Sequence, residues 1–173
     1  MFTNNVTSSL NQSGMFTALR KFLLTLVDVE VIQSQQDMTP AGLDPFITMT
    51  TLGLDVMSTN RISYDSDAGI ESHARTTRWR CQLDFYGLNA YDMASVISMA
   101  FRFEWACSAF KSLGYPVYPV AGREPRQTSF VNSESNFEER WSVDVEMMID
   151  PVVTLPRDFF SDVSVQTSAA DTF

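Results

Sequence analysis

The 173-residue chain has one histidine, two cysteines and two lysines. Each scarcity removes a class of chemistry. His73 with the well-separated Cys81 and Cys107 cannot build an ordinary zinc site, which takes four such ligands. Two cysteines are too few for a disulfide framework, and both lie in apolar stretches, so they read as buried reduced thiols. No run of 18 apolar residues exists, so nothing is expected to span a membrane. Met1 to Ser13 is polar and uncharged, without the basic start and apolar stretch of a signal peptide, so the product is expected to stay in the compartment where it is made. Charged residues make up only 19% of the chain, below the usual ~25%.

Catalytic motifs are also missing. There is no phosphate loop, GxGxxG, GxSxG, HExxH or CxxC pattern. A Ser-His-Asp triad would have to recruit His73 from a polar loop. Glu138 and Glu139 are adjacent, and neighbouring strand residues point to opposite faces, so they cannot share one proton site. Asp65 and Asp67 lie in DSDAG, which lacks the ligand set of a calcium loop and reads as a solvated turn. The expectation is no catalytic residue, no metal and no cofactor.

What is present is a folding composition: 45% hydrophobic residues and 13 Phe. The length suits one domain with a full core. Few charges and many aromatics suggest that part of the surface is covered by another subunit. The net charge of −9 is unevenly spread: −3 over residues 1–60, +1 over 61–126 and −7 over 127–173. So acidic a chain repels phosphates, which disfavours gripping nucleic acid but allows DNA to slide past.

Residues 1–13 read as a flexible lead-in, 14–160 as a single domain and 161–173 as a small, polar tail. From Gly14 to Val27, Phe16, Leu19, Phe22, Leu23 and Leu26 recur at helical spacing. Gln33–Pro45 is a loop broken by Pro40, Gly42 and Pro45. Phe46–Ser58 is β-branched and strand-like, with Gly53 marking a bulge, and Asn60–Ala74 is a hairpin loop or projecting arm. Arg75–Gly87 alternates cleanly: Trp79, Cys81, Leu83 and Phe85 one way, Arg78, Arg80, Gln82 and Asp84 the other. Asn89 with Asp92 suggests an N-cap and a capping-box variant, and Leu88 with Met93 a hydrophobic staple. One helix of roughly 23 residues, ~34 Å long, is predicted to follow to Ser112 as the central core helix, ending at Gly114 and Pro116. Gln127–Asn132 and Phe137–Ile149 read as an antiparallel pair. The order α–β–β–α–β–β predicts a two-layer α+β fold: a mixed, mainly antiparallel sheet of about four strands, two helices on one face, and extended loops and tails.

Two polar sets stand out. Arg75, Arg78 and Arg80 stripe one strand face. Cross-strand pairing with Asp144 or Glu146, a bridge to another subunit and phosphate contact are all open readings, because Arg suits bidentate carboxylate pairing. Arg123 and Arg126 precede a strand, and Glu134, Glu138, Glu139 and Arg140 cluster at the following turn. These are either an ordinary solvated hairpin end or an assembly contact between one copy's acidic hairpin and its neighbour's Arg residues. Together the nine residues are the candidate subunit interface.

The blocks ITMTTLGLDVMSTNRISY, RWRCQLDFYGLNAYDMASVISMAF and YPVYPVAGREPRQTSFVNSESNFEERWSVDVEM, in that order across residues 15–160, resemble a family of small tailed-bacteriophage proteins, the neck or tail-terminator (tail-completion) proteins. The resemblance implies a non-enzymatic virion component assembled in the host cytoplasm. It implies a ring, usually sixfold, at the head-proximal end of the tail, in the neck or collar. Such a ring caps the tail tube, docks the head–tail connector, anchors the sheath in contractile phages, and lets DNA pass without specific binding. No functional residue carries over by position. The alternatives are another connector or baseplate part, or a monomeric domain that binds a small ligand.

Overall fold

The computed structural model describes residues 6–34, 45–128, 130–131, 137–158, 160 and 164–165. Along the chain the elements are β1 (Thr7–Ser8), α1 (Gln12–Leu23), β2 (Glu30–Gln33), β3 (Phe46–Val56), β4 (Arg61–Asp65), β5 (Ile70–Ala74), β6 (Thr77–Tyr86), α2 (Ala90–Ala100), α3 (Glu104–Ser112), β7 (Val117–Gly122), β8 (Arg126–Gln127), β9 (Phe130–Val131), β10 (Phe137–Glu138), β11 (Arg140–Ile149) and β12 (Val152–Pro156). The fold is α+β, but larger than the pattern predicts. The main sheet has six strands, β2-β3-β6-β11-β7 with β8 also on β11, and a second sheet runs β1-β12-β5-β4. Among the described residues three helices replace the predicted two.

The alternation in β6 and β11 builds the main sheet. The two strands pair antiparallel from Arg140↔Tyr86 to Ile149↔Thr77. Trp79, Cys81, Leu83, Phe85, Val143, Val145 and Met147 are all fully buried on one face. β3 joins the other edge of β6 with a register shift between Thr51 and Gly53, at the predicted bulge. The shift changes which β3 residues face the core: Ile47 and Met49 are buried before it, while Leu54 and Val56 pair with Trp79 and Thr77 after it. β2, which the loop reading from Gln33 did not include, pairs parallel with β3. Most of that loop lies outside the described residues.

The apolar stripe of α1 is confirmed: Phe16, Leu19, Phe22 and Leu23 are buried. Asn11 caps the helix by accepting the Gly14 N–H at 2.7 Å. Arg20 ties the helix to β2, donating to the Val31 carbonyl at 2.8 Å and to Glu30 at 2.9 Å. Residues read as a lead-in thus carry β1, the buried Leu10 and the cap.

The single long helix is broken. α2 ends at Ala100, and Phe103, extended at φ −94° and ψ 146°, starts α3. Neither Gly nor Pro marks the break; packing causes it. The bend lets Phe101 and Phe110 both reach Phe22, at ring distances of 5.1 and 4.5 Å. Arg102 holds it by donating twice to the Gly122 carbonyl, at 3.0 and 2.8 Å. Nor does Asn89 cap with its side chain; it adopts φ 64°, closing a tight turn with Gly87, a conformation Asn tolerates better than most residues. Leu88 is 74% exposed, so no staple forms. α2 is not a helix covered all round: it packs on β11, β6 and β7 with one side, while Val96 and Met99 are exposed on the other.

Residues 60–74 form the projecting arm. β4 and β5 make its hairpin, and β12 and β1 widen it to four strands. β5 and β12 continue the β6 and β11 pairing past Ile149↔Thr77 to Val152↔Ala74. None of the arm's strand residues reaches full burial. The arm is therefore held by backbone pairing and by side chains such as the Glu71–Arg157 ion pair, with Glu71 also 2.6 Å from the His73 ring.

A candidate assembly surface

The face of the main sheet away from the helices carries the predicted polar residues. Strand alternation places Arg78 and Arg80 beside Asp55 of β3 and Glu146 of β11. Asp55 accepts from Arg78 at 3.2 Å and from Arg80 Nε at 3.0 Å. Glu146 accepts from Arg123 at 2.8 Å and lies 3.9 Å from Arg78. Arg126 meets Asp144 at 2.9 Å, and Arg140 meets Asp84 at 3.0 Å. Donating to the Glu146 carboxylate raises the pKa of Arg123 further, keeping that guanidinium charged.

Asp84 is the innermost acid of the group. It is nearly buried and accepts from Ser142, from Gln82 at 2.8 Å and from Arg140. Arg140 also lies over the Tyr86 ring, which stacks on Phe46 at 4.5 Å.

Of the nine candidate residues, five (Arg78, Arg80, Arg123, Arg126 and Arg140) thus enter ion pairs within one chain. The cross-strand reading fits Arg78 and Glu146, but the carboxylate bridging Arg78 and Arg80 is Asp55, which the sequence reading missed. Its signal was available: with the bulge at Gly53, Asp55 falls opposite Arg78. Arg75 sits apart at the root of the arm, exposed and without an ion pair among the described residues. Glu139 accepts from Trp141 Nε1 at 2.8 Å. Glu138 lies on β10, and Glu134 falls outside the described residues, as does the Ser133–Asn136 turn.

Among the described residues no group of three His, Cys, Asp or Glu could hold a metal ion. His73 is engaged with Glu71. Cys81 is buried, and burial pushes its thiol pKa up. Cys107, expected to be buried, is exposed on α3. Grooves of about 170 Å³ (lined by Leu52, Arg80 and Glu146 among others) and 280 Å³ (beside Phe16 and Met49) are open to solvent; both are below the ~300 Å³ at which drug-sized ligand sites begin. No described helix is long and apolar enough to cross a membrane.

A model of the phage neck terminator protein family matches residues 13–171. The chain belongs to that family. Its members are structural phage components rather than enzymes. Among solved structures, the chain is similar to the sheath/tube terminator of an extracellular contractile injection system, PVC, in its extended state, with a TM-score of 0.47 and 10% identity. The alignment covers 95% of this chain and 65% of that one, so the chain spans less than two thirds of its neighbour's length. No curated protein matches the chain.

Proposed function

We propose that the protein closes the head-proximal end of a phage tail as a homo-oligomeric ring, usually sixfold in such assemblies. It caps the tail tube and joins it to the head–tail connector, with a sheath as a further neighbour if the tail contracts. The observation that carries this reading is the family match across nearly the whole chain. The exposed apolar side chains Val96, Met99, Phe103, Leu54 and Val56 support it, because a monomer gains nothing by leaving them in water. The net charge of −9 suits a conduit: with few unpaired cations there is little counterion release to make DNA stick.

The test is complementation. Phage lacking the protein should produce unjoined heads and tails of irregular length, and supplying it should restore joined virions. Normal particles without it would refute the proposal.

A further inference from the structure

Two apolar surfaces of the monomer remain uncovered, one on α2 and one on the arm and its root. The first is the outer stripe of α2. Val96 and Met99 are each at least half exposed, with Asp92 one turn before Val96 on the same face; Leu88 before the helix and Phe103 after it are also at least half exposed, and Glu104 follows Phe103. The second lies on the arm and its root. Leu54, Val56 and Ile62 are also more than half exposed. Leu54 and Val56 pair with Trp79 and Thr77, on the helix-bearing side of β3 but past the cover of the helices.

The charges at the two surfaces are opposite. Among the described residues, Asp92 and Glu104 have no ion-pair partner, and neither do Arg61 and Arg75 at the arm root. Arg61 pairs opposite Ala74 but alternates with Ile62, so it belongs to the other face of β4, and Arg75 is the cation left beside the apolar root. Arg102, the one cation near the α2 stripe, is already held by Gly122 and Glu124.

α2 rests on β11, β6 and β7, whereas the second surface starts on β3, which pairs with β6 on the side away from β11. Two different, complementary patches on one molecule are the requirement for head-to-tail contact, which closes into a ring when the rotation permits.

We propose that the outer face of α2 in one copy seats against the arm of the next, with Asp92 and Glu104 facing Arg75 of that neighbour. This rests on the ring reading above and names the surfaces that make the ring.

The test uses the full chain in two variants, Val96→Glu/Met99→Glu and Val56→Glu/Ile62→Glu. All four positions are exposed, so both should fold; circular dichroism and melting check this. Masses are read by light scattering, alone and with purified tail tubes. Wild type should form rings in at least one of the two conditions, and each variant alone should stay at the 19.5 kDa of one chain. An equal mixture should give dimers of twice that mass and nothing larger, because each variant keeps one intact surface and the pair has only one matching contact. Rings from either variant alone, or a mixture that stays monomeric, would overturn the pairing. So would an α2 variant that forms rings but no longer binds tubes, since that face would then meet another tail protein. A wild type that forms no ring with or without tubes would instead refute the ring reading itself.

Discussion

Gly122 gives the sharpest test of the packing. It sits on β7 opposite Val145, where α2 crosses the sheet. A Cβ added there would lie 2.5 Å from the Ser98 carbonyl oxygen and 3.0 Å from the Ser98 Cα. Both are backbone atoms inside α2, so no side-chain rotation relieves the clash. Gly122→Ala must push α2 away from β7. That motion strains the Ser98 Oγ–Arg123 carbonyl bond of 2.8 Å and the Arg102 bonds to the Gly122 carbonyl. Overpacking costs about 1–3 kcal/mol, and a weakened hydrogen bond adds about 1 kcal/mol, for a loss of roughly 2–4 kcal/mol. At ~2–4 °C per kcal/mol for a chain of this size, Tm should fall by roughly 5–15 °C.

Gly53→Ala is the control. Its Cβ would meet only the end of the Arg80 side chain, at 3.0 Å, which can swing aside. Its cost should stay under ~1 kcal/mol, because Ala also lowers the entropy of the unfolded chain. Ser98→Ala should not rescue Gly122→Ala, because the clash is with backbone. Urea unfolding of the four proteins measures this. If Gly122→Ala is no less stable than Gly53→Ala, the close approach of α2 to β7 is wrong.

Phe22→Ala should cost about 3–5 kcal/mol in urea unfolding, because the ring is fully buried and links Phe101 to Phe110 across the helix break. Arg126→Ala should change stability by less than ~1 kcal/mol, since its pair with Asp144 is at the surface; a larger loss would mean the ionic face is structural rather than surface decoration. Hydrogen bonding from Arg157 holds the Glu71 carboxyl below its ordinary pKa of 4.5, and His73 adds to this. The stabilisation is therefore complete above that value and lost as pH falls through the lowered one. The Tm gap between wild type and Glu71→Gln should accordingly narrow in acid, and a constant gap would contradict this. Thiol titration of the native protein should find one fast-reacting cysteine, Cys107, with Cys81 reacting only on unfolding.

Local patterns carried the reading only where one element's own periodicity decided its place. The alternation from Trp79 to Phe85 fixed β6, helical spacing fixed α1, and Gly53 marked the bulge. Elements set by distant partners were not legible. β12 has five residues and ends in Pro156, and β1 has two; β12 exists because β5 offers it an edge, and β1 because β12 then offers one in turn. β2 is a strand through its pairing with β3. The break at Phe103 has no local breaker, since Phe22 and Gly122 create it from outside by engaging Phe101 and Arg102. Asn89 shows the same limit: its sequence context suits a side-chain cap, yet the turn after Gly87 takes its left-handed backbone instead. For the candidate surface, the Arg stripe was visible, but its partner Asp55 depended on a register that the bulge had shifted.

The most direct measurement is localisation. Virions carrying a tagged copy of this protein, labelled with gold and imaged, should show label only at the head–tail junction, and tails detached from heads should carry it at one tip. Label along the tail shaft, at the distal end or absent from particles would contradict the central claim.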